Sequence, residues 1–287
     1  MYRKIVAGTD LSETAAVAVE HAGWIASRVG AELVLVHAGT DPGEPLKELG
    51  EKYKAETVVT SGPPAEALLN EAERLGADLL VVGSVGMSGA KRFMLGNVPN
   101  KVSHHAQKDL LIVKTEKRKG GGEGYKKLLA GTDGSPTAMR AVQMASEFAN
   151  RLGASLTIAC VYEHISEHEM EQMRRAGSSD AIGQWSAGRS GRDTPDEFKW
   201  RIASTSHAED VLDRALTCAA EHNVEPELRA IEGNAAEELL TLAENENFDM
   251  IAVGSVGMAG PKRFMLGNVP HRITHHSPTD VLILHTA

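Results

Sequence analysis

The 287-residue chain has little of several things, and each shortage narrows its chemistry. It has two cysteines, Cys160 and Cys218, too few for a disulfide framework. Both lie in apolar runs, as buried reduced thiols of a cytoplasmic protein would. No stretch of about 18 or more apolar residues is present, so no membrane span is expected. The start, MYRKIVAGTD, enters a strand-like run without the apolar core of a signal peptide. Basic residues are outnumbered, 30 against 39, and the net charge of −9 excludes a general nucleic-acid binder, which needs a basic face. A small anion held by local backbone dipoles is still allowed. Nucleophile-elbow, Walker-lysine and zinc-finger spacings are all missing.

What is present is a repeat. The segment Lys4–Asp10 (KIVAGTD) returns as Lys127–Asp133 (KLLAGTD), displaced by 123 residues. Residues 83–115 return as 254–286, displaced by 171, with 21 identities in 33 positions. The growth in displacement measures a 48-residue insertion in the second copy. The charged, glycine-rich run 117–124 reads as a flexible linker. The expected domains are therefore 1–116 and 125–287, with the insertion near 163–207. Its Gly/Ser/Asp-rich stretch 176–196 reads as a mobile loop, a candidate lid, ahead of a helix over 208–221.

Each copy alternates strand and helix. In the first, strands are expected at 3–9, 33–36, 57–59, 79–82 and 110–113. Helices are expected at 12–29 (with Ser12 as N-cap), 45–53, 64–75 and 98–106. Continuous β-branched runs indicate strands buried on both faces. The alternation predicts an α/β fold of two tandem, doubly wound, Rossmann-like parallel five-stranded sheets. They are expected to pack as a pseudo-dimer through strands 110–113 and 281–284.

The element that carries chemistry is Gly83-x2-Gly86-x9-Gly96-Asn97, repeated as Gly254-x2-Gly257-x9-Gly267-Asn268. It follows the fourth strand of each copy, at the carboxyl edge where open α/β sheets bind ligands. The first two glycines suit a tight turn and close approach of N–H groups to an anion. Asn97 and Asn268 read as N-caps of the next helix, with Pro99 and Pro270 in its first turn. That helix end would face a phosphate. The alternative is that the glycines only shape turns. The same frame twice, amid otherwise diverged copies, favours a ligand.

On GTDLSETA and GTDGSPTA, the glycine-spaced loop and the tail VPNKVSHHAQKDLLIV, the chain resembles the universal stress protein family in tandem form. The resemblance implies binding of an adenine nucleotide, ATP first, with AMP and cyclic AMP as alternatives. By position, Thr9 and Asp10 would lie near ribose and phosphates, through Mg2+ or Mn2+ if a divalent ion accompanies the nucleotide. Ala38 would meet the adenine by its backbone, and Gly83, Gly86, Gly96 and Asn97 would hold ribose and phosphates. The matching residues of the second copy are Thr132, Asp133, Val161, Gly254, Gly257, Gly267 and Asn268. The family's usual Ser or Thr after the last glycine is Asn in both copies, which bears on which nucleotide fits. The resemblance leaves a homodimer and an unidentified protein partner open.

Other residues have plainer explanations. Asp10 and Asp133 can serve as helix caps or dipole partners, with binding favoured by their position. Lys91–Arg92 and Lys262–Arg263 read as solvated loop charges, and the segment 164–175 as a solvated helical face. Met87, Met94, Met258, Met265, Phe93 and Phe264 read as core or pocket lining. The pairs His104–His105 and His275–His276 point about 100° apart on a helix, so they read as polar surface rather than metal ligands. A regulatory nucleotide-binding protein leads, ahead of a slow ATPase and of a structural pseudo-dimer with vestigial sites. No catalytic residue is assigned.

Overall fold

The computed structural model describes residues 1–85, 95–114, 124–162, 196–256 and 266–285, with residues 196–206 entering by their backbone alone. The Lys91–Arg92 and Lys262–Arg263 pairs, Met87, Phe93, Met94, Met258, Phe264, Met265, Gly86, Gly257, segments 164–175 and 176–195 and most of the linker lie outside the described residues.

In the first copy the order is β1 (Lys4–Gly8), α1 (Glu13–Val29), β2 (Glu32–Ala38), α2 (Glu44–Tyr53), β3 (Glu56–Thr60), α3 (Pro64–Arg74), β4 (Leu79–Gly83), α4 (Asn97–His105) and β5 (Asp109–Val113). The second copy supplies β6 (Lys127–Gly131), α5 (Pro136–Leu152), β7 (Ser155–Tyr162), α6 (Asp196–Glu221), β8 (Glu227–Glu232), α7 (Ala235–Asn245), β9 (Met250–Gly254), α8 (Asn268–His276) and β10 (Asp280–Leu284). Helix α6 begins well before the expected residue 208.

The ten strands form one continuous sheet, ordered β3-β2-β1-β4-β5-β10-β9-β6-β7-β8. Within each copy every pairing is parallel. The copies join through one antiparallel pair, Leu110–Ile112 of β5 against Val281–Ile283 of β10. The expected pairing of last strands is thus the seam of the molecule. Both strands are buried along their whole length, so the seam closes two edges that would otherwise expose unpaired amides.

Two apolar layers flank the sheet. One joins Ile5, Ala7 and Leu35 to Ile25 of α1 and continues through Leu111 and Leu282 to Phe148 of α5. The other joins Val6, Val82 and Ile112 to Leu68 of α3, and Val281 to Leu239 of α7. The alternation of Ile5 and Ala7 against Val6 follows from the two-residue period of a strand. Strands β3 and β8 depart from the expected burial on both faces. They are the outermost strands and are only half-buried.

Burial at the seam extends to two carboxylates. Asp109, 2% exposed, accepts from Tyr2 OH at 2.8 Å and from the His285 amide at 3.0 Å, and receives the Arg140 guanidinium on both oxygens. Asp280, also 2% exposed, accepts from Tyr125 OH and the Lys114 amide, both at 2.8 Å, and has His21 Nδ1 at 3.1 Å. In each set the tyrosine comes from the carboxylate's own copy and the other groups from its partner copy. Cys160 is buried, whereas Cys218 is only half-buried, and both are free thiols.

Candidate functional site

In each copy the chain runs outward from the first strand in one direction and then returns to its other side. The switch falls between β1 and β4, and between β6 and β9. Helices leaving neighbouring strands on opposite faces open a crevice at the carboxyl ends there.

The first wall of this crevice is the turn after β1. Thr9 is buried, its amide donates to Val36 O at 2.9 Å, and its hydroxyl accepts from the Leu11 amide at 3.1 Å. Asp10 accepts from the Ser12 amide at 3.0 Å and from the Ser12 hydroxyl at 2.5 Å. Ser12 in turn accepts from Ala15 N at 3.1 Å and is the N-cap of α1. Capping is therefore the task of Ser12, which half-buried Asp10 braces through the serine's amide and hydroxyl.

The second copy repeats the turn. Gly134 N donates to the Thr132 hydroxyl at 3.1 Å, Ser135 N to Asp133 at 2.9 Å, and Ser135 caps α5. The third residue of each turn is left-handed, with φ of 63° at Leu11 and 78° at Gly134.

The second wall is the end of β4 with the start of α4. The backbone carbonyl of buried Ser84 accepts from the Gly96 amide at 2.8 Å, and that of Ser255 from the Gly267 amide at the same distance. These bonds tie each helix start to the end of the strand before it. The N-cap is Gly96 (φ −65°, ψ 166°) in one copy and Gly267 (φ −64°, ψ 164°) in the other, and neither end has a side-chain cap. This corrects the expected role of Asn97 and Asn268, which are the first residues of their helices and exposed. The glycine, having no side chain, offers the first-turn amides no capping acceptor among the described residues. The positive dipole end is likewise open.

The glycines ending the fourth strands do not form left-handed turns, since neither Gly83 nor Gly254 has positive φ. A Cβ on Gly254 would lie 2.5 Å from Thr137 Oγ1 and 2.7 Å from Ala138 N. Gly254 thus lets β9 pack against the start of α5. Thr137 Oγ1 also donates to Val256 O, fastening the two walls together. Gly96 and Gly267 have no comparable crowding, with nearest contacts of 3.5 and 3.4 Å.

The third side is the end of β2. Ala38 and Val161 are half-buried terminal or near-terminal residues of β2 and β7. Beside Ala38, His37 Nδ1 donates to Thr9 O at 3.0 Å, which leaves Nε2 as an acceptor. Its counterpart is Cys160, whose thiol is pushed up to about 11 by burial and by the charge of Asp133. His37, Ser84 and Ser255 belong to no motif in the sequence, and Cys160 stands out there only as a buried thiol. The Ser pair was visible as an identical residue in both copies, but the His/Cys exchange left no motif.

Among the described residues no group of three His, Cys, Asp or Glu side chains already converges on a metal position. Each turn supplies one carboxylate of its own, Asp10 or Asp133, so an ion there would draw on the ligand's own oxygens. A cavity of about 210 Å3 lies elsewhere, beside Tyr2, Asp109 and Arg140 at the seam. Residues 86–94 and 257–265, with Gly86 and Gly257, lie outside the described residues.

Fold and strand order together define a duplicated, doubly wound α/β protein with a switch point in each copy. The chain belongs to the universal stress protein family, whose model matches residues 1–52, 44–114 and 124–285. Universal stress protein Rv1636 of Mycobacterium tuberculosis is 33% identical over 166 residues, covering 56% of this chain and 97% of that protein. Universal stress protein YxiE of Bacillus subtilis is 30% identical over 148 residues, covering 40% of this chain and 100% of its own. Similarity of fold spans both copies in a universal stress protein from Archaeoglobus fulgidus. It has a TM-score of 0.62 at 19% identity and covers 99% of this chain and 96% of that one. Among the described residues no helix is long and apolar enough to cross a membrane.

Proposed function

We propose that each copy binds an adenine nucleotide at its switch-point crevice, ATP first, and that occupancy regulates the protein's interactions. The observation that carries this reading is the twice-built helix start, glycine-capped and without a side-chain cap, held against the strand end by the Ser84–Gly96 and Ser255–Gly267 bonds. Free amides and a positive dipole end suit a phosphate. The neighbouring carboxylate, Asp10 or Asp133, suits the ribose hydroxyls or a divalent ion carried by the nucleotide. Membership of the universal stress protein family adds to the case.

Regulation follows if the bound and free forms differ in affinity for a partner, because a ligand shifts only an equilibrium between states it binds unequally. The two sites need not be equal. His37 offers an imidazole acceptor beside Ala38, where the second copy has the protonated Cys160 thiol.

Glycine-to-valine changes test the reading. Alanine at Gly96 and Gly267 meets only ordinary contacts, whereas the branched valine would cover the first-turn amides. The expected result in titration calorimetry is ATP binding that survives Gly96→Ala with Gly267→Ala and weakens at least tenfold in the double valine variant, both proteins staying folded. Equal affinity in the valine variant would overturn the reading. Preference for AMP or cyclic AMP over ATP in the same titration would redirect it to those ligands.

A further inference from the structure

The cavity of about 210 Å3 at the seam lies away from both crevices. Liquid water takes up about 30 Å3 per molecule, so this is room for roughly seven waters or one small organic molecule. Its wall is amphoteric. Asp78 supplies a carboxylate, Lys108 and Arg140 supply cations, Gln107 a carboxamide, and Tyr2 and Met144 apolar surface. The Asp78 and Arg140 side chains are each 30% exposed. The charges of both reach the buried Tyr2 hydroxyl.

Several of these groups are only half used. Arg140 spends two N–H groups on Asp109. A guanidinium carries five, and the others donate to nothing among the described residues. They include a complete Nε–Nη edge, which suits a second carboxylate bidentately. Asp78 mirrors this with the opposite sign. Its Oδ2 accepts the Arg3 and Lys4 amides at 2.7 and 3.0 Å, while its Oδ1 accepts from nothing among the described residues. The exposed Lys108 ammonium has no partner there either. The other charges at the wall are already matched: Asp109 by Arg140, and the Met1 amino group by Glu147 at 3.3 Å.

Closing the seam does not require such a wall, because the duplication-related half does without it. The displacement of 123 carries Arg140 onto Val17 and Met144 onto His21, and that of 171 carries Gln107 onto Pro278 and Lys108 onto Thr279. In that half His21 Nδ1 meets Asp280 at 3.1 Å, and Trp24 packs edge-on against Tyr125 with ring centroids 5.7 Å apart. The cationic donors are thus particular to the half that holds the cavity.

We propose that the seam cavity binds a small zwitterion of the free α-amino acid class. Its carboxylate takes the open edge of Arg140, with Lys108 adding charge, and its ammonium group takes Asp78 Oδ1. A simple anion would leave the Asp78 charge unanswered, and a simple cation would meet Arg140 and Lys108, so one charge of each sign matches the wall. Asp78 and Lys108 belong to the first copy and Arg140 to the second, so the ligand bridges the copies and stabilises their contact. The site is separate from the nucleotide reading of the crevices.

The test adds the proteinogenic amino acids singly, at millimolar concentration, to the full-length protein and follows the melting temperature. Those that raise it are titrated by calorimetry. The expected result is at least one amino acid bound once per chain, with the same compound lacking its amino group, or amidated at its carboxylate, at least tenfold weaker. Lys108→Glu, at an exposed position, Asp78→Asn, and Arg140→Lys, which keeps a cation for Asp109, each weaken it at least tenfold. ATP titrations of these variants match the unaltered protein, so a failure of ATP binding alone bears on the crevices and not on this cavity. No melting shift with any amino acid, or binding that none of the three substitutions changes, would overturn the proposal.

Discussion

Gly254 and Gly267 belong to the same glycine-spaced motif but meet different surroundings. A methyl group on Gly254 would press on the backbone of Thr137 and Ala138 at 2.7 Å, while one on Gly267 would find 3.4 Å or more. Gly254→Ala is therefore expected to destabilise the protein by about 1–3 kcal/mol, the usual range for overpacking. Gly267→Ala should stay near neutral, and urea unfolding of the two variants checks the difference. Spacing alone could not separate these roles. It located both glycines at the strand end and the helix start, but which one is crowded depends on α5, whose packing comes from a distant part of the chain. Asp10 and Asp133 were placed correctly at the edge. The division of labour with Ser12 and Ser135 emerges only once the turn is seen to bend through a left-handed third residue.

Among the elements, α1 and α5 show how completely a helix can be written locally. Each is 17 residues long, begins at a serine whose hydroxyl accepts a first-turn amide, and ends at a left-handed glycine, Gly30 or Gly153. Ser12→Ala removes that acceptor and should cost about 1 kcal/mol, measured as a shift in the denaturation midpoint at unchanged slope. Asp10 loses a donor in the same variant, so a fall in ATP affinity would accompany it.

Helices α4 and α8 were less legible. The Asn that looks like a cap is already inside the helix, because the glycine before it adopts the extended cap conformation. Edge strands β3 and β8 resembled buried strands for a related reason. Thr57–Val59 is β-branched whether one face or two is covered, and only the strand order decides which. Histidines adjacent in sequence diverge on a helix; the ring contacts run instead from His271 to His275, with His104 arriving from the other copy.

At the scale of the whole molecule, duplication yields one sheet rather than two, and its seam holds a pair of buried carboxylates. The first, Asp109, is met by Arg140 and the second, Asp280, by His21, so the two halves of the seam differ in charge chemistry. Asp109→Ala strands Tyr2, Arg140 and the His285 amide at once. It is expected to cost about 3–5 kcal/mol in equilibrium unfolding, with loss of the contact between copies before the sheets themselves melt.

The seam also confers a pH dependence. Burial holds His285 below its ordinary value, against the opposing pull of Asp109, and its Nδ1 has no partner among the described residues. The unfolded chain takes up this proton near pH 6.5, and the folded chain only at lower pH. Stability is therefore full above about pH 6.5 and declines as pH falls below it. His104 and His275 are lowered in the same direction, by burial first and by neighbouring imidazoles second. In chelator-treated buffer His285→Asn should make the loss between pH 7.5 and 5.5 shallower without abolishing it. Thermal melts at the two pH values measure this.

The most direct test of the central claim is to denature the purified full-length protein and identify what it releases by mass spectrometry, followed by calorimetric titration of the emptied, refolded chain. The account predicts a released adenine nucleotide, ATP foremost, and rebinding that weakens when Asp10 and Asp133 are both changed to Ala. No released nucleotide, together with no heat on adding ATP, AMP or cyclic AMP, would contradict it.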